Sequence, residues 1–255
     1  MTSVKEIYDY IDSFAPFSSQ LDFDNAGINV GDEKAQVTKA VVSLDITAKV
    51  ADYAESIGAN LVISHHPVLF TPIKYISSDS VAYRLAQRGL TALCAHTNLD
   101  AAAGGVNDAL AKVLGLSDIE MFEQDAPDVW FGRIGNLPYE MSPAEFSRYT
   151  AKCLSLPYVF CSKHEGTIRR VGVIGGGAGE YYLSAKAAGA DAYITGEAHH
   201  HEFIAAAHEN IMLVAAGHYA TEAVVLRPLA DMLAARFPEV EFVVTEIDNP
   251  MLTLG

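Results

Sequence analysis

Seven of the nine histidines in this 255-residue chain follow stretches that read as β-strands: His65, His66, His96, His199, His200, His201 and His218. Only His164 and His208 lie elsewhere. Ligands of parallel α/β sheets bind beyond the carboxyl ends of the strands, so this placement carries more weight than the number. Two of the histidines stand four residues ahead of a carboxylate, His96 before Asp100 and His218 before Glu222. A helix starting after Gly217 puts His218 and Glu222 one turn apart on one face, a spacing suited to joint coordination. Asp100 is the counterpart of Glu222, and either carboxylate can bridge two cations. Neutral imidazole with carboxylate suits zinc, iron, manganese or nickel, and no thiolate lies close enough in sequence to shift that choice.

Consecutive residues of an extended backbone point to opposite sides, and Pro67 keeps His66 in the β or polyproline region. His65 and His66 therefore fit two ions, or one ion and one substrate, better than a single shared ion. A lone buried histidine is usually a hydrogen-bonded core residue, but an adjacent pair with two His-x-x-x-acid motifs makes that reading the poorer one. His199, His200 and His201 follow Gly196-Glu197 where a helix begins, and His200 and His201 are expected to line the site. His96 is a ligand, an orienter of Asp100 or a proton carrier.

The elements that position these residues come from a repeat. The stretch from Lys39, KAVVSLDITAKVADYAESIGANLVISHHP, and the stretch from Arg170, RVGVIGGGAGEYYLSAKAAGADAYITGEAH, align without a gap: Gly58 and Gly189 differ by 131, as do Ser64 and Thr195. In the first copy, 40–44 suits a buried parallel strand, 48–57 has helical periodicity and 61–63 is the next strand, which makes a β-α-β unit. A helix over about 80–87 leads to a strand at 91–95, and the second copy repeats the plan near 202–208 and 211–215. The expected fold is α/β: two similar lobes from an internal duplication, with mostly parallel sheets flanked by helices.

Between the copies, 121–166 is broken by Pro127, Pro138, Pro143 and Pro157 and is expected to hold the boundary between lobes. This assigns 1–125 with 216–255 to a first lobe carrying most metal ligands, and 126–215 to a second. Val4, Ile7, Ile11 and Phe14 mark an N-terminal amphipathic helix, and Ser142-Pro143 with Glu145 marks another helix start. Residues 239–247 alternate towards a last strand ended by Asp248-Asn249-Pro250. The run Ile174 to Gly179, IGGGAG, lacks the Lys-Ser/Thr ending of a nucleotide loop and reads as a tight strand-to-helix turn. Asp45 and Thr47 at the matching turn read as helix caps.

The composition, 50% hydrophobic and 19% charged, is that of an ordinary globular chain. Its net charge of -15 repels a phosphate backbone, which argues against nucleic acid as a partner, although bound metals can reverse the field inside one cleft. No apolar run approaches the roughly 20 residues needed to span a bilayer, so no membrane association is expected. Cys94, Cys153 and Cys161 have no paired spacing, which points away from a disulfide framework and towards a reducing cytoplasm.

These motifs together resemble the Nif-three-like dinuclear-metal proteins, the type 2 GTP cyclohydrolase I homologues. The resemblance runs through Asp24-Asn25-Ala26-Gly27, SHHPVLFTPIKYI from Ser64, AHTNLDAAAGGVND from Ala95, FGRIGNLP from Phe131, ITGEAHHHEF from Ile194, GHYATE from Gly217 and Ile247-Asp248-Asn249-Pro250. It implies two α/β lobes with a dinuclear centre between them, two divalent ions being held by His65, His66, Asp100, His218 and Glu222. It also implies a ring-shaped homohexamer, a toroidal trimer of dimers, in the cytoplasm. Some members carry a large mid-chain insertion, which this sequence lacks. The implied reaction is hydrolytic opening of the GTP imidazole ring by a metal-bound hydroxide, giving formate and dihydroneopterin triphosphate, with His96 or Glu197 as proton carrier. Two alternatives stay open: a metal-binding regulatory or scaffold ring without turnover, and oxidative chemistry at an iron site with open positions.

Overall fold

The computed structural model describes residues 1–247. The expected Asp248-Asn249-Pro250 turn lies outside them. The chain opens with β1 (Thr2–Ser3), α1 (Val4–Phe14), β2 (Gly27–Val30), β3 (Gln36–Val37), β4 (Lys39–Ser43), α2 (Ala48–Ser56), β5 (Leu61–Ser64), α3 (Val81–Gln87), β6 (Thr91–Cys94) and α4 (Thr97–Ala101). It continues with α5 (Val106–Val113), β7 (Ser117–Ala126), β8 (Val129–Met141), α6 (Pro143–Cys153), β9 (Phe160–Cys161), β10 (Ile168–Val173), α7 (Tyr182–Ala187), β11 (Ala192–Thr195), α8 (His200–His208), β12 (Met212–Ala215) and α9 (His218–Glu222). Two last elements follow, α10 (Leu226–Arg236) and β13 (Glu241–Val244). The described residues divide into two compact units, Met1–Ala103 with 226–247, and Gly104–Val225.

Among the described residues, the first unit carries a five-stranded sheet in the order β13-β4-β5-β6-β2. Its first four strands are parallel and β2 runs antiparallel to β6. The second unit carries a six-stranded sheet in the order β7-β8-β10-β11-β12-β9, parallel through β10-β11-β12 and antiparallel at both sides.

The duplication persists in the register. Val42 pairs with Ile63 and Val173 with Ile194, each residue of the second pair lying 131 after its counterpart. Helices α2 and α7 both end in a glycine with positive φ, Gly58 at 74° and Gly189 at 91°, a backbone that closes a helix at little cost only without a Cβ. The spacing then changes: β5 and β11 are 131 residues apart (192 minus 61), β6 and β12 only 121 (212 minus 91). The first copy thus holds ten extra residues, in the segment that begins with His65.

Both faces of the second sheet are covered, which explains its continuous apolar runs. Ala192, Ile194, Met212 and Val214 pack on one side with Leu110, Leu114 and Phe146. Tyr193 and Leu213, one residue out of phase, pack on the other with Tyr182, Ala185 and Ala206. Helix α6 begins where Ser142-Pro143 predicts, and α1 and α6 each carry a complete capping box, Ser3 with Glu6 and Ser142 with Glu145.

The boundaries between units fall at 103/104 and 225/226 rather than at 125/126 and 215/216. The proline-rich stretch is not a linker: β7 and β8 form an antiparallel hairpin, and β8 pairs with β10. Pro127 occupies the hairpin turn, where Asp128 takes a φ of 64°. Pro138 lies between Asn136 and Met141, where the β8–β10 ladder shifts register and the missing N–H costs nothing. His218 and Glu222 consequently belong to the second unit.

Tyr193 is fully buried and its hydroxyl donates to the Ala178 carbonyl at 2.7 Å. Replacing Tyr193 by Phe is expected to lower stability by about 1 kcal/mol with no change of fold, read as a reduced urea midpoint at unchanged slope.

Candidate metal centre

In the first unit the donors gather at the carboxyl ends of β4, β5 and β6. Strand β5 stops at Ser64, and His65 and His66 occupy a bend. An extended backbone would have sent the two rings apart; the bend brings their centroids to 5.1 Å. His96 joins them, 5.1 Å from His65 and 5.4 Å from His66. One donor atom from each of the three lies within 4.8 Å of the others.

Each ring is oriented through Nδ1. His65, 1% exposed, sets Nδ1 3.0 Å from the Ala95 carbonyl. A carbonyl only accepts, so Nδ1 carries the proton and Nε2 presents its electron pair. That Nε2 lies 3.6 Å from Asp100 Oδ1, so an imidazole nitrogen and a carboxylate oxygen face one another with a proton or a cation between them. His66 places Nδ1 2.8 Å from Asp45 Oδ1, and His96 places Nδ1 2.8 Å from Asp24 Oδ1. Carboxylate behind imidazole is how metal-ligating histidines are commonly held.

Asp24 was not singled out from the sequence as a site residue. Its second oxygen accepts from the Thr97 amide at 3.0 Å and the Thr97 hydroxyl at 2.5 Å. Burial on its own would push the Asp24 carboxyl up, but the hydrogen bonds from His96 and Thr97 outweigh it and bring it down to about 2. Asp45 is likewise a holder of His66; Thr47 alone caps α2, accepting from the Val50 amide at 3.3 Å. Asn25 donates to the Leu69 carbonyl at 2.6 Å and Asn29 accepts from the Val68 amide at 3.1 Å, so the segment after Asp24 ties down the chain after His66. The buried Cys94 thiol donates to the His65 carbonyl at 3.0 Å, and burial pushes its pKa well up, so it stays protonated and is no thiolate ligand.

In the second unit, α9 presents His218 and Glu222 on one face with Nε2 3.1 Å from Glu222 Oε2, as the one-turn spacing predicts. The IGGGAG run is the seat of this pair. Gly176 has a φ of 70°, and a Cβ there would sit 2.3 Å from Glu222 Oε1. The Gly175 amide is given to Asn107 Oδ1 at 2.8 Å and the Gly176 amide to Thr221 Oγ1 at 3.1 Å, so neither is turned towards a phosphate. Glu197 is exposed, with Oε2 3.3 Å from His218 Nδ1.

Each unit also has a cleft at its strand ends. One of about 430 Å³ is bordered by Asp45, Thr47, His66, Val68 and Leu69. One of about 500 Å³ is bordered by Phe160, Glu180, Glu197, His199, Glu202 and Phe203. His199, not His200 or His201, is among the residues around the latter; His200 and His201 are exposed at the start of α8.

The sequence profile described as Duf34/NIF3 (NGG1p interacting factor 3) matches residues 2–250. A Methanocaldococcus jannaschii protein named GTP cyclohydrolase 1 type 2 homolog is 32% identical, the match covering 91% of this chain and 94% of that one. A Clostridium acetobutylicum protein of the same name is 31% identical over 86% and 85% of the two chains. Among solved structures, a Staphylococcus aureus hypothetical protein superposes with a TM-score of 0.92 at 25% identity, covering 99% of each chain. Reduced HcgD from Methanocaldococcus jannaschii gives 0.79 at 28% identity, covering 96% of this chain and 98% of that one.

A carboxylate lowered to about 2 contributes about 2 kcal/mol, present in full above the ordinary aspartate value near 4 and lost as pH falls through about 2. Metal-free Asp24→Asn protein is expected to be less stable than its parent by about that amount at pH 6, with the gap narrowing between about pH 4 and pH 2. Urea unfolding across that window measures the gap, and a gap of constant size would contradict the role given to Asp24.

Proposed function

Because the chain belongs to the Duf34/NIF3 family, matched from residue 2 to residue 250, we propose that it is a metal-dependent hydrolase whose His65, His66, Asp100, His218 and Glu222 hold two divalent ions. The observation that carries this reading is the orientation of His65. Its Nδ1 is turned to the Ala95 carbonyl while Nε2 faces Asp100, the arrangement in which metal-ligating histidines are commonly held from behind. Among the described residues no helix is long and apolar enough to cross a membrane.

Divalent ions held there supply positive charge that acidifies water near neutral pH and offsets charge developing on the substrate. The chain's own part is positional. Asp100 and Glu222 add negative charge that favours divalent cations, and the Gly176 backbone keeps the space that Glu222 fills. His96, with Nδ1 held by Asp24, offers Nε2 to take a proton from the nucleophile and return it to the leaving group. Asp24 stays ionised throughout, so it stabilises a protonated His96 without competing for the proton.

The substrate we propose is a nucleotide, with GTP as first candidate because curated relatives carry the name GTP cyclohydrolase 1 type 2 homolog. Water would add at C8 and open the imidazole ring to a formamide, a second water would cleave that formamide to formate and a free amine, and rearrangement of the ribose with closure onto the amine and loss of water would give dihydroneopterin triphosphate. The net charge of -15 disfavours free triphosphate away from bound cations, which restricts productive binding to the metal-loaded protein. A homohexamer in the cytoplasm is the assembly and location that go with this reading.

Protein purified without added metal is expected to hold two ions per chain by elemental analysis and to release formate from GTP. His65→Ala and Glu222→Ala should lose metal and activity while keeping the parent circular dichroism. His96→Ala should keep its metal and lose about a hundredfold or more in kcat, the range for a removed proton carrier. Paired ions with no turnover of GTP or of a phosphoester panel would replace this reading by a metal-binding scaffold.

A further inference from the structure

The two units use the same positions of the repeat in different ways. Asp45 and His66 hold one another in the first unit, and the positions 131 residues later are Gly176 and Glu197. Gly176 gives up its side chain, and the Glu222 carboxylate from α9 occupies the place a Cβ would take. Glu197 stands where a metal-ligating histidine stands in the other copy. Its backbone is fixed: the amides of Gly196 and Glu197 both donate to the Gly176 carbonyl, at 2.8 and 2.9 Å. From there Glu197 Oε2 lies 3.3 Å from His218 Nδ1, while Nε2 of the same ring lies 3.1 Å from Glu222 Oε2.

His218 thereby has an oxygen acceptor beside Nδ1, as His65, His66 and His96 do. The others rely on a carbonyl or on acids buried wholly or in part; here the acceptor comes from the start of the segment leading into α8. We propose that Glu197 is a positioning residue: its carboxylate holds the proton on His218 Nδ1 and so commits Nε2 to the metal. This rests on the metal-centre reading above and departs from the expectation that Glu197 carries a proton during turnover. Outer partners of this kind typically change metal affinity by 10- to 100-fold. Glu197 is two-thirds exposed, so the lower end applies.

The full-length protein, stripped with chelator, tests it in two measurements. Long-range proton–nitrogen NMR reads which ring nitrogen of His218 carries hydrogen, the signal being assigned by its loss in His218→Ala. Because Glu222 Oε2 lies 3.1 Å from Nε2 and competes for the proton, the tautomer is read in a Glu222→Ala background, where the Nδ1–H form is expected with Glu197 in place, a shift towards Nε2–H in Glu197→Ala, and an intermediate balance in Glu197→Gln, which keeps a neutral acceptor. Competition against a chelator then gives Zn²⁺ affinity, expected to fall about tenfold in Glu197→Ala with the thermal midpoint unchanged. An unchanged tautomer, or unchanged zinc affinity beside a large loss in His218→Ala, overturns the proposal. Unchanged zinc affinity in His218→Ala itself overturns the metal-centre reading and takes the proposal with it.

Discussion

The site depends on one interaction made several times: an oxygen acceptor close to Nδ1 of an imidazole, which decides which nitrogen keeps its electron pair. In the first unit the acceptors come from different parts of the chain, the Ala95 carbonyl after β6, Asp45 after β4 and Asp24 before β2. Their separation is fixed by the parallel register of β4, β5 and β6 together with the antiparallel pairing of β2 on β6, which sets these strand ends side by side. A slip of one residue in any pairing would turn a histidine away from its acceptor and leave a buried polar group unsatisfied. The sheet is therefore part of the site's chemistry and not only its support.

The duplication supplied two such frames, and they have diverged at the ends of the strands rather than within them. Register and helix ends correspond residue by residue up to Thr195. Beyond β5 the first copy inserts ten residues, and part of that segment is exposed and apolar, with Tyr75 at 81%. The Asn25 and Asn29 side chains pin its beginning beside His66. The second copy, without this segment, places α9 against the glycine turn, where Glu222 follows His218 at the spacing that Asp100 keeps after His96 but fills the room left by Gly176. Two imidazole-rich strand ends thus reach similar donor chemistry by different local means.

Much of this was legible because it is periodic or local. Strands buried on both faces show unbroken apolar runs, and caps such as Ser142-Pro143-Glu145 act within one turn, so β4, β5, β10, β11 and the starts of α1 and α6 fall where the residues indicate. The His218–Glu222 spacing is read correctly for the same reason. The acceptors are a different matter: Asp24 lies 72 residues from His96 and Asp45 lies 21 from His66, separations at which no periodicity operates. The bend at His65-His66 also escapes, since the strand reading stops at 63 and Pro67 restricts His66 only to the β or polyproline region, which suggests an extended backbone and does not specify a bend. The prolines of β7 and β8 mislead because a turn and a register shift accommodate them without ending the hairpin.

The two clefts show how far topology alone determines function. They open at equivalent strand ends, and members of their walls correspond: Ile46 with Gly177, His66 with Glu197, Val68 with His199, each 131 apart. Position beyond the carboxyl ends is what the parallel sheet imposes. Character is not imposed: the first cleft joins a histidine–aspartate pair to aliphatic Val68 and Leu69, the second joins three glutamates to Phe160 and Phe203. A divergence concentrated at matching positions, in units whose strand registers have not moved, means that the sequence of each strand end can change its ligand without disturbing the fold. The candidate metal ligands occupy the places where the duplicated frame tolerates that change.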